Sequence, residues 1–265
     1  MQSLLEVAKQ AARLAGDVIN LGAQNLSSLK VEQKTLHDYV SEIDRNSEIA
    51  VTKAIHEVFP DHQIIGEEYG VTGSTVDVQW VVDPLDGTTN FLRGIPHYAV
   101  SIGVLVKQQL EHAVVYDPVK NEMFCASKGQ GASLNGVPIN VSSLSSVTGG
   151  LFATGVPFSG DNLAKVEEFT NTMVDLLQQN TSGIRRLGSA ALDLAYVAAG
   201  RYDGYWEANL KIWDIAGGAL LVTEAGGEVS DFQGQGGYLE SGDIVAAPNG
   251  VHQQIVDIAS RNYNS

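Results

Sequence analysis

The sequence predicts a mixed α/β fold in which helices and sheets are stacked in layers. Amphipathic helical patterns open the chain, antiparallel strands follow, and short strands alternate with helices in the second half. Such a mixture buries its apolar faces when sheets and helices pack as separate layers around a shared core.

The first half begins with two predicted helices. Small or apolar residues recur every three or four positions along 1–22 and mark one helix face: Leu4, Ala8, Ala11, Ala15, Val18 and Gly22. A second helix is predicted from Ser41 to about Phe59, because Pro60 ends the pattern.

Strands dominate the next part of the first half. Short apolar runs at 63–66 and 78–82 each end at acidic residues, which predicts two buried strands. Three more apolar runs between residues 98 and 126 are separated by turn-like segments, so we expect a meander of antiparallel strands there.

The second half reads as an alternation of helices and strands. A helix is predicted at 162–179, and the elements expected after it are strand 182–187, helix 189–199, strand 202–206, helix 212–225, strand 244–247 and a terminal helix. We expect an N-terminal α+β region at 1–148 and a C-terminal α/β region at 149–265, which together form one compact unit.

Composition excludes several classes of protein. The formal charge is −15, with 16 Lys and Arg against 31 Asp and Glu, which argues against a nucleic-acid partner. No run of about 18 apolar residues is present, so no membrane span is expected. The N-terminus lacks the features of a secretion signal and Cys125 is the single cysteine, so we expect a cytoplasmic protein.

The segment from Asp83 to Thr88 has the chemistry of a metal site. A buried strand ends at Asp83, and Pro84 then forces a turn that lets the carboxylates of Asp83 and Asp86 converge with the Leu85 carbonyl. Such hard oxygen ligands suit Mg²⁺ or Mn²⁺. Gly87 allows close backbone approach, and the N–H groups that follow it can hold a phosphate. An ordinary surface turn is the alternative, since Asp, Pro and Gly are common turn residues.

Three other acidic positions permit simpler interpretations when taken singly. Glu67 follows a strand and fits a solvated loop. Asp214 at a helix start fits a capping residue, and Asp44 fits a Ser41-x-x-Asp44 capping pattern.

Taken together, the motifs carry a resemblance. The segments Gly66-Glu67-Glu68, Trp80-Val81-Val82-Asp83-Pro84-Leu85-Asp86-Gly87-Thr88-Thr89-Asn90-Phe91 and Trp213-Asp214-Ile215-Ala216-Gly217-Gly218 resemble the three signature motifs of inositol monophosphatases, in the same order. The resemblance covers nearly the whole chain and is closest to bacterial members. It implies the layered αβαβα sandwich of the sugar-phosphatase group and a homodimer.

The resemblance also implies roles for individual residues. Two or three Mg²⁺ ions, replaceable by Mn²⁺, would be held by Glu67, Asp83, Asp86, Asp214 and the Leu85 carbonyl. Glu67 and Thr88 would position and activate the attacking water, with Asp44 orienting Thr88. The substrate, a small phosphorylated polyol or sugar, would contact Leu85, Asp86, Gly87, Thr88, Arg185, Gly188, Ser189, Ala190, Glu207 and Asp214.

The resulting expectation is a Mg²⁺-dependent, lithium-sensitive phosphatase that acts on inositol monophosphate or a similar ester through metal-activated water. A fructose-1,6-bisphosphatase, histidinol-phosphate phosphatase or nucleotide 3′-phosphatase of the same plan stays open. An aspartyl-phosphate mechanism is disfavoured, because Asp83 and Asp86 stand three positions apart rather than two. A regulatory binding protein is the alternative from another functional class.

Two departures from the family pattern stand out. The segment His37-Asp38-Tyr39-Val40 replaces a Pro-Val-Asp-Leu-like run, which leaves a metal-site role for Lys34 open. Lys211 precedes Trp213 and is expected beside the polyol pocket, where it would alter substrate preference.

Overall fold

The computed structural model describes residues 3–26, 31–35, 38–157 and 160–263. The first layer consists of helices α1 (Leu4–Ala23) and α2 (Glu42–Val58), joined through a small hairpin of β1 (Val31–Thr35) and β2 (Asp38–Ser41). Both helices begin at a serine cap, Ser3 and Ser41, as their sequences favour.

The second layer is an eight-stranded sheet. Its strands in chain order are β3 (His62–Gly66), β4 (Gly70–Thr72), β5 (Thr75–Asp86), β6 (Ala99–Val106), β7 (Gln109–Asp117), β8 (Glu122–Ser127), β9 (Ala132–Leu134) and β10 (Val137–Ile139). They are arranged in the order β10-β9-β8-β7-β6-β5-β3-β4, and every pair is antiparallel except β3 with β5. A short helix α3 (Thr88–Leu92) follows β5 directly.

The smaller sheet has five strands. They are β11 (Leu151–Thr154), β12 (Gly183–Arg185), β13 (Gly204–Glu207), β14 (Gly227–Ser230) and β15 (Ile244–Pro248), in the order β12-β11-β13-β15-β14. Strand β11 is parallel to both neighbours, whereas β15 is antiparallel to both of its own.

Helices fill the space between the sheets and cover the far face. Helix α4 (Val166–Leu177) follows a 3₁₀ turn at Gly160–Lys165 and packs with α8 (Asn249–Tyr263) outside the smaller sheet. Helices α5 (Ala190–Ala198) and α6 (Ile212–Glu224) lie between the two sheets, and the short α7 (Tyr238–Ser241) lies near α6. Every residue of α5 is buried, as expected of a helix covered on both sides.

Alternating strand residues divide the apolar core between the layers. On β7, Ala113 and Val115 face the α5–α6 layer, while Val114 and Tyr116 face α1 and α2. On β13, Tyr205 faces α5 and α6, and Trp206 faces the outer layer of α4 and α8. The αβαβα sandwich is thus confirmed by the order of these layers.

Some elements were not predicted. Strands β4, β9, β10, β11 and β14 have only three or four residues each, and the helix predicted from residue 162 begins as a 3₁₀ turn. All strands of the larger sheet lie before residue 149 and all strands of the smaller one after it, while the division at 148 itself stays a prediction. Among the described helices, none has the length and apolar character needed to cross a bilayer.

Candidate active site

The end of β5 brings two aspartates to one edge of the larger sheet. Asp83 follows the fully buried Trp80, Val81 and Val82 and is itself only 2% exposed. The pairing of β5 with β6 shifts between Asp83 and Asp86, so the strand carries a bulge there. The Leu85 N–H donates to Asp83 Oδ1 at 3.0 Å, which fixes the turn. Gly87 then takes a φ of 100°, a left-handed conformation that favours glycine, and α3 begins.

Thr88 is tied to the N-terminus of α2. Its Oγ1 lies 2.7 Å from Asp44 Oδ1 and 3.1 Å from the Leu85 carbonyl oxygen. Asp44 Oδ2 accepts from the N–H and hydroxyl of Ser41 at 2.8 and 2.6 Å, which completes a capping box. Burial raises the pKa of the Asp44 carboxyl, and the hydrogen bonds from Ser41 and Thr88 oppose the rise. Asp44 therefore serves both as a cap and as a partner of Thr88.

Asp86 joins the two halves of the chain. Its Oδ2 accepts from Ser189 Oγ at 2.6 Å and from the Ala191 N–H at 2.7 Å, at the beginning of α5. Burial raises the pKa of Asp86 to about 6, although these donors favour the ionised form. A residue of the larger sheet thereby holds the first turn of the helix that lies between the sheets.

Glu67 and Asp214 approach from two further elements. Glu67 follows β3, and its N–H donates to the Val82 carbonyl at 3.2 Å. Asp214 lies in the first turn of α6, where its Oδ2 accepts the Lys211 N–H at 2.7 Å. Burial and then the charges of Asp86 and Glu67 raise the pKa of Asp214 well above its usual range. The pKa of Asp83 is raised in the same way, first by burial and then by the charges of Glu67, Asp86 and Asp214.

These elements surround a cavity of about 510 Å³. The residues predicted for the site that line it are Glu67, Asp86, Gly87, Thr88, Gly188, Ser189, Ala190, Glu207 and Asp214. Asp44, Asp83 and Leu85 are buried and are not part of its lining. Carboxylates of the β3–β4 connection, β5, β13 and α6, distant along the chain, therefore share one cleft.

The chemistry of these side chains fits a hard divalent cation. Burial, and after it the like charges of neighbouring acids, raise the pKa of Asp83 and Asp214, and a cation bound among these oxygens would favour the ionised forms. Their side chains do not converge on a single position. Among the described residues, no group of three or more Asp, Glu, His or Cys side chains is arranged so that it could hold a metal ion. Hydrogen bonds to Leu85, Ser189, Ala191 and Lys211 hold some of the carboxylate oxygens instead. Cation binding would therefore have to draw these groups together, and the metal ligands stay predictions.

Glu207 lies at the end of the cleft formed by the smaller sheet. Its Oε2 accepts from the Tyr205 hydroxyl at 2.5 Å, and burial raises the pKa of Glu207 to about 7. Gly155 leaves the space that the carboxylate fills, because a Cβ at that position would overlap it. The Glu207 carboxyl is therefore held firmly in place.

Arg185 does not reach the cleft. Its side chain is exposed and its Nη1 donates to the Ile184 carbonyl, whereas the next residue, Arg186, lines the cavity. Successive residues of an extended segment point to opposite sides, which accounts for the different positions of Arg185 and Arg186. A substrate contact by Arg185 stays a prediction. Lys211 caps α6 and is not part of the cavity lining. The side chain of Lys34 and the whole of His37 lie outside the described residues.

Three residues that were not predicted from the sequence line the same cavity: Arg93, Gly155 and Asp193. Asp193 is 1% exposed, and its Oδ1 has no hydrogen-bond partner within the described part of the chain. Burial, followed by the charges of Glu207 and Asp86, raises its pKa well above the usual range. An acid inside the otherwise apolar run of α5 was the available signal, because such helices seldom bury a carboxylate without a reason.

Comparison with known proteins identifies the family. The model of the inositol monophosphatase family matches residues 1–263. A curated relative, Nus factor SuhB of Pseudomonas aeruginosa, is 50% identical over 249 residues, which make up 93% of this chain and 92% of the relative. Nus factor SuhB of Escherichia coli K12 is 46% identical over 250 residues, or 93% and 91% of the two chains.

Solved structures are also similar to this chain over nearly its whole length. The extragenic suppressor protein suhB of Bartonella henselae has a TM-score of 0.94 at 36% identity, covering 98% of this chain and 99% of its own. The inositol monophosphatase of Anabaena has a TM-score of 0.82 at 34% identity, covering 97% and 95%. With the family model matching nearly end to end, the chain belongs to the inositol monophosphatase family.

Proposed function

We propose that the protein is a Mg²⁺-dependent phosphomonoesterase that hydrolyses inositol monophosphate or a similar polyol or sugar phosphate. One observation carries the proposal. Carboxylates from four separate parts of the chain line a cleft together with Gly87 and Thr88, and the buried Asp44 holds the Thr88 hydroxyl from behind the lining. Family membership supports a phosphatase of this fold.

The proposed roles follow from these positions. Glu67 and Thr88 orient the attacking water, and Asp44 fixes the Thr88 hydroxyl at 2.7 Å. The N–H groups of Gly87 and Thr88 bind phosphate oxygens, since the left-handed Gly87 starts a helix there. Glu67, Asp83, Asp86, Asp214 and the Leu85 carbonyl are the proposed ligands of Mg²⁺, which supplies charge neutralisation and Lewis acidity when bound.

The leaving group would occupy the other side of the cleft. Glu207, Gly188, Ser189 and Ala190 line it there, and a buried carboxyl beside free space suits the hydroxyls of a polyol. The same chemistry would accept a sugar bisphosphate, histidinol phosphate or a nucleotide 3′-phosphate. These substrates remain alternatives within the proposal.

A second candidate function has an observation of its own. Relatives that are 45–50% identical over more than nine-tenths of this chain bear the name Nus factor. A role as a Nus factor is compatible with an intact site, because a binding surface and a catalytic cleft can coexist on one fold. A homodimer and a cytoplasmic location, both expected from the sequence, belong to the proposal as well, and light scattering tests the dimer.

The test is a phosphate-release screen on the purified protein with and without Mg²⁺. The panel contains inositol monophosphate, fructose 1,6-bisphosphate, histidinol phosphate and adenosine 3′,5′-bisphosphate. We expect turnover of the polyol ester that needs Mg²⁺ and is inhibited by Li⁺. Preference for the nucleotide would change the substrate class, and no hydrolysis of any ester would leave the Nus factor role as the main function.

A further inference from the structure

The connection that carries Glu67 is short. Strands β3 and β4 are paired from Ile64 with Thr72 to Gly66 with Gly70, so only the three residues 67–69 join them. The Glu67 N–H donates to the Val82 carbonyl at 3.2 Å. The next two N–H groups have no strand beside them, and a buried or half-buried N–H without an acceptor is costly.

One side chain of α2 accepts hydrogen bonds from both of these N–H groups. Glu48 Oε2 accepts the Glu68 N–H at 2.7 Å, and Glu48 Oε1 accepts the Tyr69 N–H at 3.1 Å. The carboxyl of Glu48 lies inside the protein, since the residue is only 1% exposed. With both carboxyl oxygens used as acceptors, Glu48 holds the connection at two consecutive residues.

The surrounding chain is shaped for this carboxylate. Gly66 lies against it, and a Cβ on Gly66 would overlap the Glu48 side chain. Glu48 also follows Asp44 by four positions on α2, which places both acids on the same helix face. Asp44 holds Thr88 and Glu48 holds the connection containing Glu67, the two groups assigned to the attacking water.

We infer that Glu48 is a positioning residue that fixes the conformation of residues 67–69 and so aims Glu67 into the cleft. Helix α2 then supports both water-orienting groups through two acids one turn apart. The effect of Glu48 on catalysis rests on the proposed function. Its effect on the conformation of residues 67–69 does not. A glutamate is needed because each of its two oxygens accepts one N–H, while a glutamine has a single acceptor oxygen.

The experiment compares Glu48→Gln with Glu57→Gln, a matched change at an exposed glutamate of the same helix. The first readout is amide hydrogen exchange in metal-free protein, measured by NMR. In the unmodified protein the Glu68 and Tyr69 amides should be protected. In Glu48→Gln at least one should exchange about tenfold faster or more, with the Glu67 amide much less affected. Glu57→Gln should leave all three amides unchanged.

The second readout separates positioning from general stability. Glu48→Gln should lower kcat about ten- to hundredfold while KM for the polyol phosphate changes little, because Glu207 lies on β13 of the smaller sheet, whereas α2 packs on the larger sheet. The Mg²⁺ concentration that half-maximally raises the melting temperature should increase as well. Glu57→Gln should leave kcat, KM and this concentration unchanged.

Several results would overturn the inference. Fast exchange of both amides in the unmodified protein would do so without any variant, even if Glu48→Gln failed to fold. So would unchanged exchange in Glu48→Gln, or faster exchange with normal kcat and Mg²⁺ dependence, which would leave Glu48 a merely structural residue. If the unmodified protein hydrolysed no ester, the proposed function would fail while the exchange data still decided whether Glu48 fixes the connection.

Discussion

At the scale of single residues, the cleft combines acidic groups that burial has made reluctant to ionise. The pKa values of Asp83, Asp86, Asp193, Glu207 and Asp214 are all raised, with burial as the first cause in each. Each charge adds to the repulsion felt by its neighbours. A bound cation that neutralised these carboxylates would relieve the repulsion that the metal-free protein carries. Replacing one carboxyl by an amide therefore tests what that group contributes to activity and to stability.

Asp83→Asn should separate catalysis from folding. We expect Mg²⁺-dependent hydrolysis to fall at least about a thousandfold, since a charge beside the transferred phosphate is removed. In EDTA the variant should melt at the same temperature as the unmodified protein or about 2–4 °C higher, because one repelling charge is gone. Phosphate release and thermal melts measure both effects. Asp77→Asn, on the exposed part of β5, is the control, and unchanged turnover in Asp83→Asn would refute the assignment.

Gly155→Ala tests how firmly the Glu207 carboxyl must be held. The added methyl would occupy the space of that carboxylate, so Glu207 would have to move. We expect KM for polyol phosphates to rise about ten- to hundredfold. Turnover of p-nitrophenyl phosphate, whose leaving group has no hydroxyls, should change much less. Gly236→Ala serves as the control, because nothing lies within 4 Å of the added methyl there. Equal losses on both substrates would contradict a role in leaving-group recognition.

Site residues could be predicted from the sequence where one short motif contains them. They could not be predicted where only the three-dimensional packing gives a residue its role. The segment Asp83–Thr88 contains both its proposed metal ligands and its turn within six consecutive residues, so its chemistry could be predicted from the sequence directly. Glu48 looks like an ordinary helix acid in the sequence, and only the three-dimensional packing shows that it is buried, whereas Asp193 was marked by the apolar run around it. The choice between Arg185 and Arg186 depended on a strand boundary, which sequence patterns place only within a few residues.

At the scale of elements, α6 has a different task at each end. Its first turn presents Asp214 to the cleft. At its last residue, Glu224 accepts three consecutive N–H groups, those of Gly129, Gln130 and Gly131, at 2.8, 3.1 and 2.9 Å. The C-terminal end thus attaches the helix to the loop that leads into β9, well away from the cleft.

Glu224→Ala should therefore lower stability but not activity, whereas Asp214→Asn should lower activity but not stability. Glu224→Ala leaves three N–H groups without their acceptor, so we expect a loss of about 1–3 kcal/mol in the free energy of unfolding, with kcat preserved at low temperature. Asp214→Asn should abolish hydrolysis with little loss of stability. Urea unfolding and phosphate release, measured on both variants, decide the matter. A loss of kcat in Glu224→Ala that persisted well below its melting temperature would contradict the separation.

Elements were predictable in proportion to their length. Helices α1 and α2 and the meander of β6 to β8 contain enough residues for a period of 3.6 or 2 to emerge. Strands β4, β9 and β10 contain three residues each, too few to show alternation. They are held by neighbours in the sheet rather than by their own sequence preference.

At the scale of the whole molecule, the cleft depends on how the layers stack. Asp86 of the larger sheet holds the first turn of α5, and α6 packs on both sheets while presenting Asp214. Glu207 comes from the smaller sheet. The convergence of these groups could be expected only from the family resemblance, because contacts between residues more than a hundred positions apart leave no periodic trace in one sequence.

This arrangement couples metal binding, protons and stability. The folded pKa lies above the unfolded value for five acids at the cleft: Asp83, Asp86 at about 6, Asp193, Glu207 at about 7, and Asp214. Their contribution to metal-free stability is therefore complete below the unfolded pKa and is lost as pH rises through the folded values. A cation favours the ionised forms, so its stabilising effect should grow over the same range.

We therefore expect the unfolding free energy gained on adding saturating Mg²⁺ to be larger at pH 8 than at pH 6. The increase should be about 1.4 kcal/mol per pH unit for each proton that the cation displaces. Histidines with lowered pKa, such as His97 at about 4, change the unfolding free energy equally with and without Mg²⁺. Their effect therefore cancels when the two unfolding free energies are subtracted. Urea unfolding at each pH, in EDTA and in Mg²⁺, measures it. A gain that is equal at the two pH values, or larger at pH 6, would mean that the cation binds without displacing protons from the buried carboxyls.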